Sequence, residues 1–466
     1  MPRDVSRSNH GAEAGAEAAQ SMHSETEGAA LGASARVQQV WKGKGVTAKE
    51  IVVALEDLGR QERRGPRHQG EEDTSATDRR MRQVLASSLT LVGFVPDTEG
   101  LREAEAAIRA LPQRRPARVI LVVPDADASP EGVDCLVRAE MGGHEGSTQV
   151  RHEQVTLRVR RMASRHLANL VSTLVVPQLP VYGWMLGTFP FGRTWQGDWE
   201  DILDRLLVDT GSAYHPLDAV LALGDLTRGL ARFGLGDLAY TRLRPWQEAL
   251  AEVFDAPLRR EFLGRMDRIE VHGPVQPFAP DEPSSGSLLL AGWLASRLGW
   301  GAARAGGPEH VVFERPGGDV RLTYRPDGDI DGPSPFRGSG VTSVRLMVSE
   351  GGEEGRMPRV SGAAGFAGLT VRADRFGRLT WEELEGGAGG QIPVSALDTA
   401  HALYACVERI GDRIFRPTVE RASDVARALL RARAIGGGED DEAEEEGKAG
   451  SDWEETRPTG RKGVSR

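Results

Sequence analysis

Leu89-Thr-Leu-Val-Gly-Phe-Val95 is followed by Pro96-Asp97, by apolar positions at Leu101, Ala104, Ile108 and Leu111, and by Ala117-Arg-Val-Ile-Leu-Val-Val123. The outer segments are short continuous apolar runs, each stopped by a proline, Pro96 or Pro124. The middle positions recur at helical spacing behind Asp97 and Thr98, either of which serves as an N-cap. A strand apolar on both faces, a helix and a second such strand imply a sheet covered by helices. Working outward, Asp134-Cys-Leu-Val-Arg-Ala139 is a third strand, and Gln154–Arg160 alternates apolar and polar residues, so one of its faces is wet. His166–Val176 is an apolar helix, Pro177 breaks it, and Val181–Leu186 is a buried strand. Upstream, Thr47 and Glu50 have capping-box spacing for a helix that ends near Gly59.

Residues 1–35 have almost no large apolar side chain, so burial cannot offset the entropy of ordering them; the sequence predicts a disordered tail. A turn to Gly, Pro and aromatic residues between Gly187 and Asp198 suggests a domain boundary. The reading is an N-terminal α/β domain over 36–195 and a C-terminal α+β domain over 196–435. An acidic disordered tail follows over 436–466, with seven acidic residues between Glu439 and Glu446. In the second domain Trp199 begins a helix, while Arg205-Leu-Leu-Val208 reads equally as its continuation or as a strand. Leu217–Leu230 is helical, Pro245 opens a helix carrying Trp246, and Ser287 caps another that Gly299 ends. Runs between His310 and Ala373 alternate as an antiparallel meander. Ser395-x-x-Asp398 opens a long helix through Arg413, and Pro417–Ala434 forms the last one.

A chain of 466 residues is too long for one ordinary core. Its 39% hydrophobic and 27% charged content is that of a soluble globular protein. A net charge of −10 without long basic runs argues against nucleic acid as a partner. No apolar run reaches transmembrane length and no secretory h-region opens the chain, so the expected location is cytoplasmic, with no membrane partner. Cys135 and Cys406 read as two separate buried thiols.

No catalytic signature emerges. Gly234-Leu-Gly236, Gly317-Gly318, Gly386–Gly390 and Gly436–Gly438 lack the strand–glycine–helix context of a phosphate loop and read as turns and linkers. Phe94-Val-Pro-Asp97 has Pro and Asp where a dinucleotide turn needs glycines. His144-Glu145 and His152-Glu153 lack the second His of a zinc helix. No Gly-x-Ser-x-Gly elbow is present. Asp201, Asp204 and Asp209 read better as ion-pairing or capping groups than as an acid/base pair. The expectation is no catalytic residue, no metal and no cofactor. What remains is a concentration of Trp, Tyr and Arg, the side chains that interfaces favour. Trp246 fits the apolar face of its helix. Arg242 and Arg244 alternate around Leu243 and are expected on one solvent face. The candidate partner-binding residues are Asp204, Arg205, Asp209, Asp237, Tyr240, Arg242 and Arg244.

Seven motifs in one order carry a resemblance. They are Leu89–Val95, Arg115-Pro-Ala-Arg-Val-Ile120, Glu153-Gln-Val-Thr-Leu157, Pro177-Gln-Leu-Pro-Val-Tyr-Gly-Trp184, Asp204-Arg-Leu-Leu-Val-Asp-Thr210, Gly236-Asp-Leu-Ala-Tyr-Thr-Arg-Leu-Arg-Pro-Trp246 and Leu290-Ala-Gly-Trp-Leu-Ala295. In these the chain resembles the glucose-6-phosphate dehydrogenase assembly protein family, OpcA, across roughly residues 36–435. The pattern departs at Met185 and Tyr240, where the family usually has Trp, and at Arg151, where it often has Cys; thiol-based control is therefore not carried over. The resemblance implies a non-catalytic partner and allosteric activator of glucose-6-phosphate dehydrogenase that promotes its active oligomer and raises NADPH supply through the oxidative pentose phosphate pathway. The alternative is an enzyme or sensor binding a sugar phosphate or nucleotide at the strand ends of the first domain.

Overall fold

A computed structural model describes residues 37–63, 88–109, 117–125, 131–142, 150–162, 164–187, 193–229, 232–327, 334–348, 368–384, 387–409 and 411–449. The expected N-terminal tail lies outside them, as do residues 450–466. Two eight-stranded sheets organise the fold. The first contains β1 (Val37–Gly43), β2 (Leu89–Phe94), β3 (Ala117–Pro124), β4 (Gly132–Gly142), β5 (Val150–Arg160), β6 (Val181–Met185), β7 (Arg205–Val208) and β8 (Gly234–Asp237). Their order is β1-β4-β5-β3-β2-β6-β7-β8. From β5 to β8 every neighbour pairs parallel, while β4 and β1 add an antiparallel edge.

Alternation along the central strands sends side chains into two apolar layers. Leu91, Val119 and Leu121 meet Leu101, Ala104 and Ile108 of α2 (Thr98–Arg109) in one layer. Val92, Ile120 and Val122 face the other, with Ile51 and Leu55 of α1 (Ala48–Arg63) and Val171 of α3 (Ser164–Leu174). Thr47 and Glu50 form the expected capping box, with Thr47 N–H donating to Glu50 Oε2 at 2.7 Å and Glu50 N–H to Thr47 Oγ1 at 3.4 Å. Gly59 does not end α1, which continues to Arg63.

The first sheet crosses the boundary placed at residue 195. After α4 (Arg193–Trp199), Arg205–Val208 is a strand, and α5 (Pro216–Arg228) leads to β8. Gly234-Leu-Gly236, read as a turn, lies in β8; β-propensity had no large side chains there to register. In β7, Leu206 and Leu207 are both fully buried on opposite faces, which a one-sided helical stripe would not allow.

The second sheet orders as β10-β11-β12-β9-β13-β14-β15-β16. Its strands are β9 (Arg268–Pro274), β10 (Ala303–Ala305), β11 (His310–Phe313), β12 (Val320–Asp327), β13 (Ser343–Met347), β14 (Gly368–Ala373), β15 (Leu379–Glu383) and β16 (Gly389–Ile392). The meander is interrupted at its centre: β9 comes from far upstream and pairs parallel with β12. One face packs Ile269, Val271, Leu322, Val344, Leu346 and Val371 into the core. The helices of this half are α6 (Leu238–Arg242), α7 (Arg244–Val253), α8 (Pro257–Phe262), α9 (Ser285–Leu298), α10 (Thr399–Glu408) and α11 (Phe415–Ala449). The cap of α9 is Ser284, three residues before the one expected, and Gly299 ends the helix at φ +67°. The helix expected over 395–413 is α10 alone, capped by Asp398; a break separates it from α11. α11 runs through Gly436–Gly438 to Ala449, beyond the stop read at those glycines, in a stretch rich in the helix-favouring residues Ala and Glu.

The two halves share one core. A Cβ on Gly292 of α9 would lie 2.4 Å from the Thr418 carbonyl oxygen of α11, so only glycine allows this crossing. On the other side of α11, Arg228 of α5 donates to Ser423 Oγ at 3.1 Å and pairs with Asp424 at 3.0 Å. α10 reaches back onto the first sheet, placing Ala402, Leu403 and Cys406 against the layer of Leu91 and Leu121. Among the described residues no helix is long and apolar enough to cross a membrane.

Candidate functional site

In the parallel part of the first sheet the chain winds from β2 to β3 to β5 in one direction and through β6, β7 and β8 in the other. The reversal lies between β2 and β6, where doubly wound sheets hold ligands at their carboxyl ends. Four strand ends converge there: Val95-Pro96-Asp97, Leu186-Gly187, Asp209 and Asp237. The cavity they leave is about 190 Å³. Pro96, Trp184 and Gly187 line it with Asp97, Glu99, Glu103, Asp209 and Thr399. Gly187, at φ +75°, brings its backbone against the Pro96 ring; a Cβ there would sit 3.3 Å from Pro96 Cγ.

This crevice does not fit a dinucleotide pyrophosphate. Such a group needs open backbone N–H donors and close approach at the start of the helix. Pro96 has no N–H to offer. The first turn of α2 is already capped, Gly100 N–H donating to Asp97 Oδ1 at 2.8 Å. Glu99 and Glu103 add negative charge where the ligand would bring its own.

Beside the crevice lies a buried polar network. Arg242 is 7% exposed and donates through Nη1 to Asp209 Oδ1 at 2.8 Å and through Nη2 to Thr399 Oγ1 at 3.2 Å. One guanidinium thus ties the end of β7 to α6 and to the start of α10. Asp237, 1% exposed, caps α6 by accepting from Ala239 N–H at 3.0 Å, and takes Thr210 N–H and Oγ1 at 3.1 and 2.7 Å. Burial, with the Asp209 carboxylate beside it, pushes Asp237 up to about 7, against the hydrogen bonds from Thr210 and Ala239. Thr241 Oγ1 donates to the Asp237 carbonyl at 2.9 Å and lies 2.9 Å from Cys406 Sγ. Burial pushes Cys406 up to about 12, so it stays a thiol. Arg205, half-buried, donates to the Cys406 carbonyl at 2.7 Å and to the Arg409 carbonyl, closing the end of α10. Tyr240, 5% exposed, meets Phe415 edge-on at 5.1 Å between ring centres.

The seven residues singled out from sequence are therefore mostly one internal assembly. Asp209, Asp237, Tyr240 and Arg242 are buried, which corrects the expectation that Arg242 shares a solvent face with Arg244. The strand–helix junction explains the difference: Leu238–Arg242 is a helical turn, so Arg242 does not keep strand alternation with Arg244. Asp204 is exposed, although its Oδ2 accepts Val181 N–H at 2.7 Å. Arg244 is exposed and paired with Glu248. Sequence reasoning missed Thr210, Thr241, Thr399 and Cys406 as members of this network; Thr241 meets Cys406 across 165 residues and Thr399 meets Arg242 across 157. The available signal was the capping spacing at Asp237 and Asp398.

A family model described as the glucose-6-phosphate dehydrogenase subunit N-terminal domain matches residues 108–225, and one described as its C-terminal domain matches 233–358. Two curated relatives are OpcA proteins named for the OxPP cycle. That of Synechocystis sp. is 29% identical over 212 residues, 44% of this chain and 41% of its own length. That of Nostoc punctiforme is 29% identical over 212 residues, 45% of this chain and 42% of its own. The match thus spans about two fifths of each relative. Among solved structures, a dehydrogenase from Chromobacterium violaceum is similar at 15% identity and a TM-score of 0.42, over 77% of this chain and 99% of its own. The two family models together match more than half of the residues, and the ordered motifs build the sheet, the buried network and the α9 crossing: the chain belongs to the glucose-6-phosphate dehydrogenase assembly protein family, OpcA.

Proposed function

We propose that this protein is a non-catalytic partner of glucose-6-phosphate dehydrogenase that favours the assembled, active form of that enzyme. The observation that carries the reading beyond family membership is the state of the strand-end crevice. A proline and four carboxylate side chains, Asp97, Glu99, Glu103 and Asp209, line the crevice where a nucleotide phosphate would enter, and the nearby Arg, Asp, Thr and Cys groups bond to one another. Such groups hold a shape rather than transform a substrate. A partner that binds the active oligomer more tightly than the inactive form shifts the population by its differential affinity; tenfold is about 1.4 kcal/mol. The test mixes purified chain with its cognate dehydrogenase and reads co-elution and NADPH formation. The expected result is a complex with raised activity. A complex with unchanged kinetics leaves a scaffold, and no complex refutes the proposal.

A second reading, a binder of a sugar phosphate or nucleotide, draws on a cavity of about 490 Å³ at the carboxyl ends of β9 and β12. It is lined by Gly273, Ser284, Ser287, Tyr324, Arg325 and Arg433, and the Tyr324 hydroxyl has no hydrogen-bond partner among the described residues. Its size is that of small-molecule sites. A thermal-shift measurement with glucose 6-phosphate and NADP, without the dehydrogenase, separates the readings: a large shift from ligand alone favours the second.

A further inference from the structure

The second sheet has two unlike faces. The strand residues that alternate with the core set point the other way, and neither apolar cluster includes them. The register aligns them into rows across the sheet. One row runs His310, Thr323, Glu270, Arg345, Thr370, Glu382. The flanking rows contain Arg304, Arg321 and Arg268 on one side, and Arg325, His272 and Arg372 on the other. Six arginines thus share this face with three strand carboxylates, Glu270, Asp327 and Glu382, in a chain whose net charge is −10. Arg304 pairs with Asp319, Arg325 with Glu309 and Arg345 with Glu270. Arg268, Arg321 and Arg372 are exposed and have no ion pair among the described residues.

We infer that this face is the surface that docks the dehydrogenase, and that the partner presents an acidic surface to it. The inference rests on the function proposed above. Charge complementarity selects the occupant: three guanidiniums without an ion pair among the described residues, each with a planar fork of donors, match carboxylates and repel a second copy of the same face. The area is adequate. Eight strands about 4.8 Å apart and about five residues long, at about 3.3 Å each, give roughly 600 Å². A stable pair buries about 800 Å² on each partner, so this face supplies most of one side. Its residues lie on strands held by the shared core, so little ordering entropy opposes docking.

The experiment uses the full chain and purified dehydrogenase. Binding is measured for wild type, for the combined Arg268→Glu, Arg321→Glu and Arg372→Glu variant, for the corresponding three Arg→Gln changes, and for Arg232→Glu, an exposed position beside the first sheet. Each is read at about 0.05 M and about 0.5 M salt, where screening lengths differ severalfold. The expected result is wild-type binding that weakens with salt, a loss on the order of tenfold or more for the Glu variant, a smaller loss for the Gln variant, and wild-type behaviour for Arg232→Glu. Thermal unfolding of the Glu and Gln variants at the wild-type temperature assigns the losses to the surface. Unchanged binding by the Glu variant overturns the inference while the proposed function stands. Self-association that the substitutions abolish, with dehydrogenase binding intact, also overturns it. No binding by wild type overturns both.

Discussion

Arg242→Glu separates an internal tie from a docking residue. The guanidinium lies 2.8 Å from Asp209 and both side chains are about nine-tenths buried. Removing one partner of such a pair leaves a buried charge uncompensated, at about 3–5 kcal/mol. Glutamate also adds a third carboxylate beside Asp209 and Asp237, and each pH unit by which one of them must be raised to accept a proton costs about 1.4 kcal/mol. A total on the order of 5 kcal/mol is comparable to the whole stability of many domains, about 5–15 kcal/mol. The assay is urea unfolding followed by tryptophan fluorescence and far-ultraviolet circular dichroism. With a slope of about 3 kcal/mol per molar, the midpoint falls by roughly 1.5–2 M. The double change Asp209→Asn with Arg242→Met removes both charges and recovers most of the loss. A midpoint for Arg242→Glu within about 0.3 M of wild type, equivalent to about 1 kcal/mol, refutes the assignment of Arg242 to the interior.

Three further outcomes follow from the same geometry. Gly292→Ala forces α9 and α11 apart, because its Cβ would meet the Thr418 carbonyl oxygen at 2.4 Å; a loss of about 1–3 kcal/mol is expected by calorimetry, and an unchanged melting temperature contradicts the packing. Asp237 is raised to about 7, so the folded chain keeps a proton that the unfolded chain has lost above about pH 4. Its contribution is therefore most favourable in acid and declines as pH rises from about 4 to about 7, so the stability difference between wild type and Asp237→Asn shifts against wild type over that window; a difference flat with pH rejects it. Burial pushes Cys135 and Cys406 each up to about 12, so neither is alkylated by iodoacetamide at neutral pH until the protein is denatured, as mass spectrometry will show.

Local pattern made the first sheet legible where strands were apolar on both faces. Leu89–Phe94, Ala117–Pro124 and Val181–Met185 are strands as read, and Trp246 is core because its helix stripe is clean. β1 escaped notice: its residues alternate weakly, and its pairing partner β4 lies about a hundred residues away. β8 escaped because glycines conceal a strand whose stability comes from its neighbour β7. The candidate site was legible as a set of residue types but not as a location. Trp, Tyr and Arg serve interiors and interfaces alike, and only burial distinguishes them. The Arg-rich sheet face was invisible because its rows form across strands drawn from residues 268 to 382.

The order in which the chain is made conflicts with the order in which its layers close. Leu91, Val119 and Leu121 are in place early, yet part of their cover, Ala402, Leu403 and Cys406, emerges last, as does the Phe415–Leu429 stretch that seals the helices beneath both sheets. At about 5–20 residues per second, the roughly 190 residues from the end of the first sheet to the middle of α11 take about 10–40 s to appear. For that interval the apolar layer of Leu91, Val119 and Leu121 is covered only in part, by α2. Closure of these layers therefore waits on α10 and α11, which act as the latch on a structure otherwise completed long before.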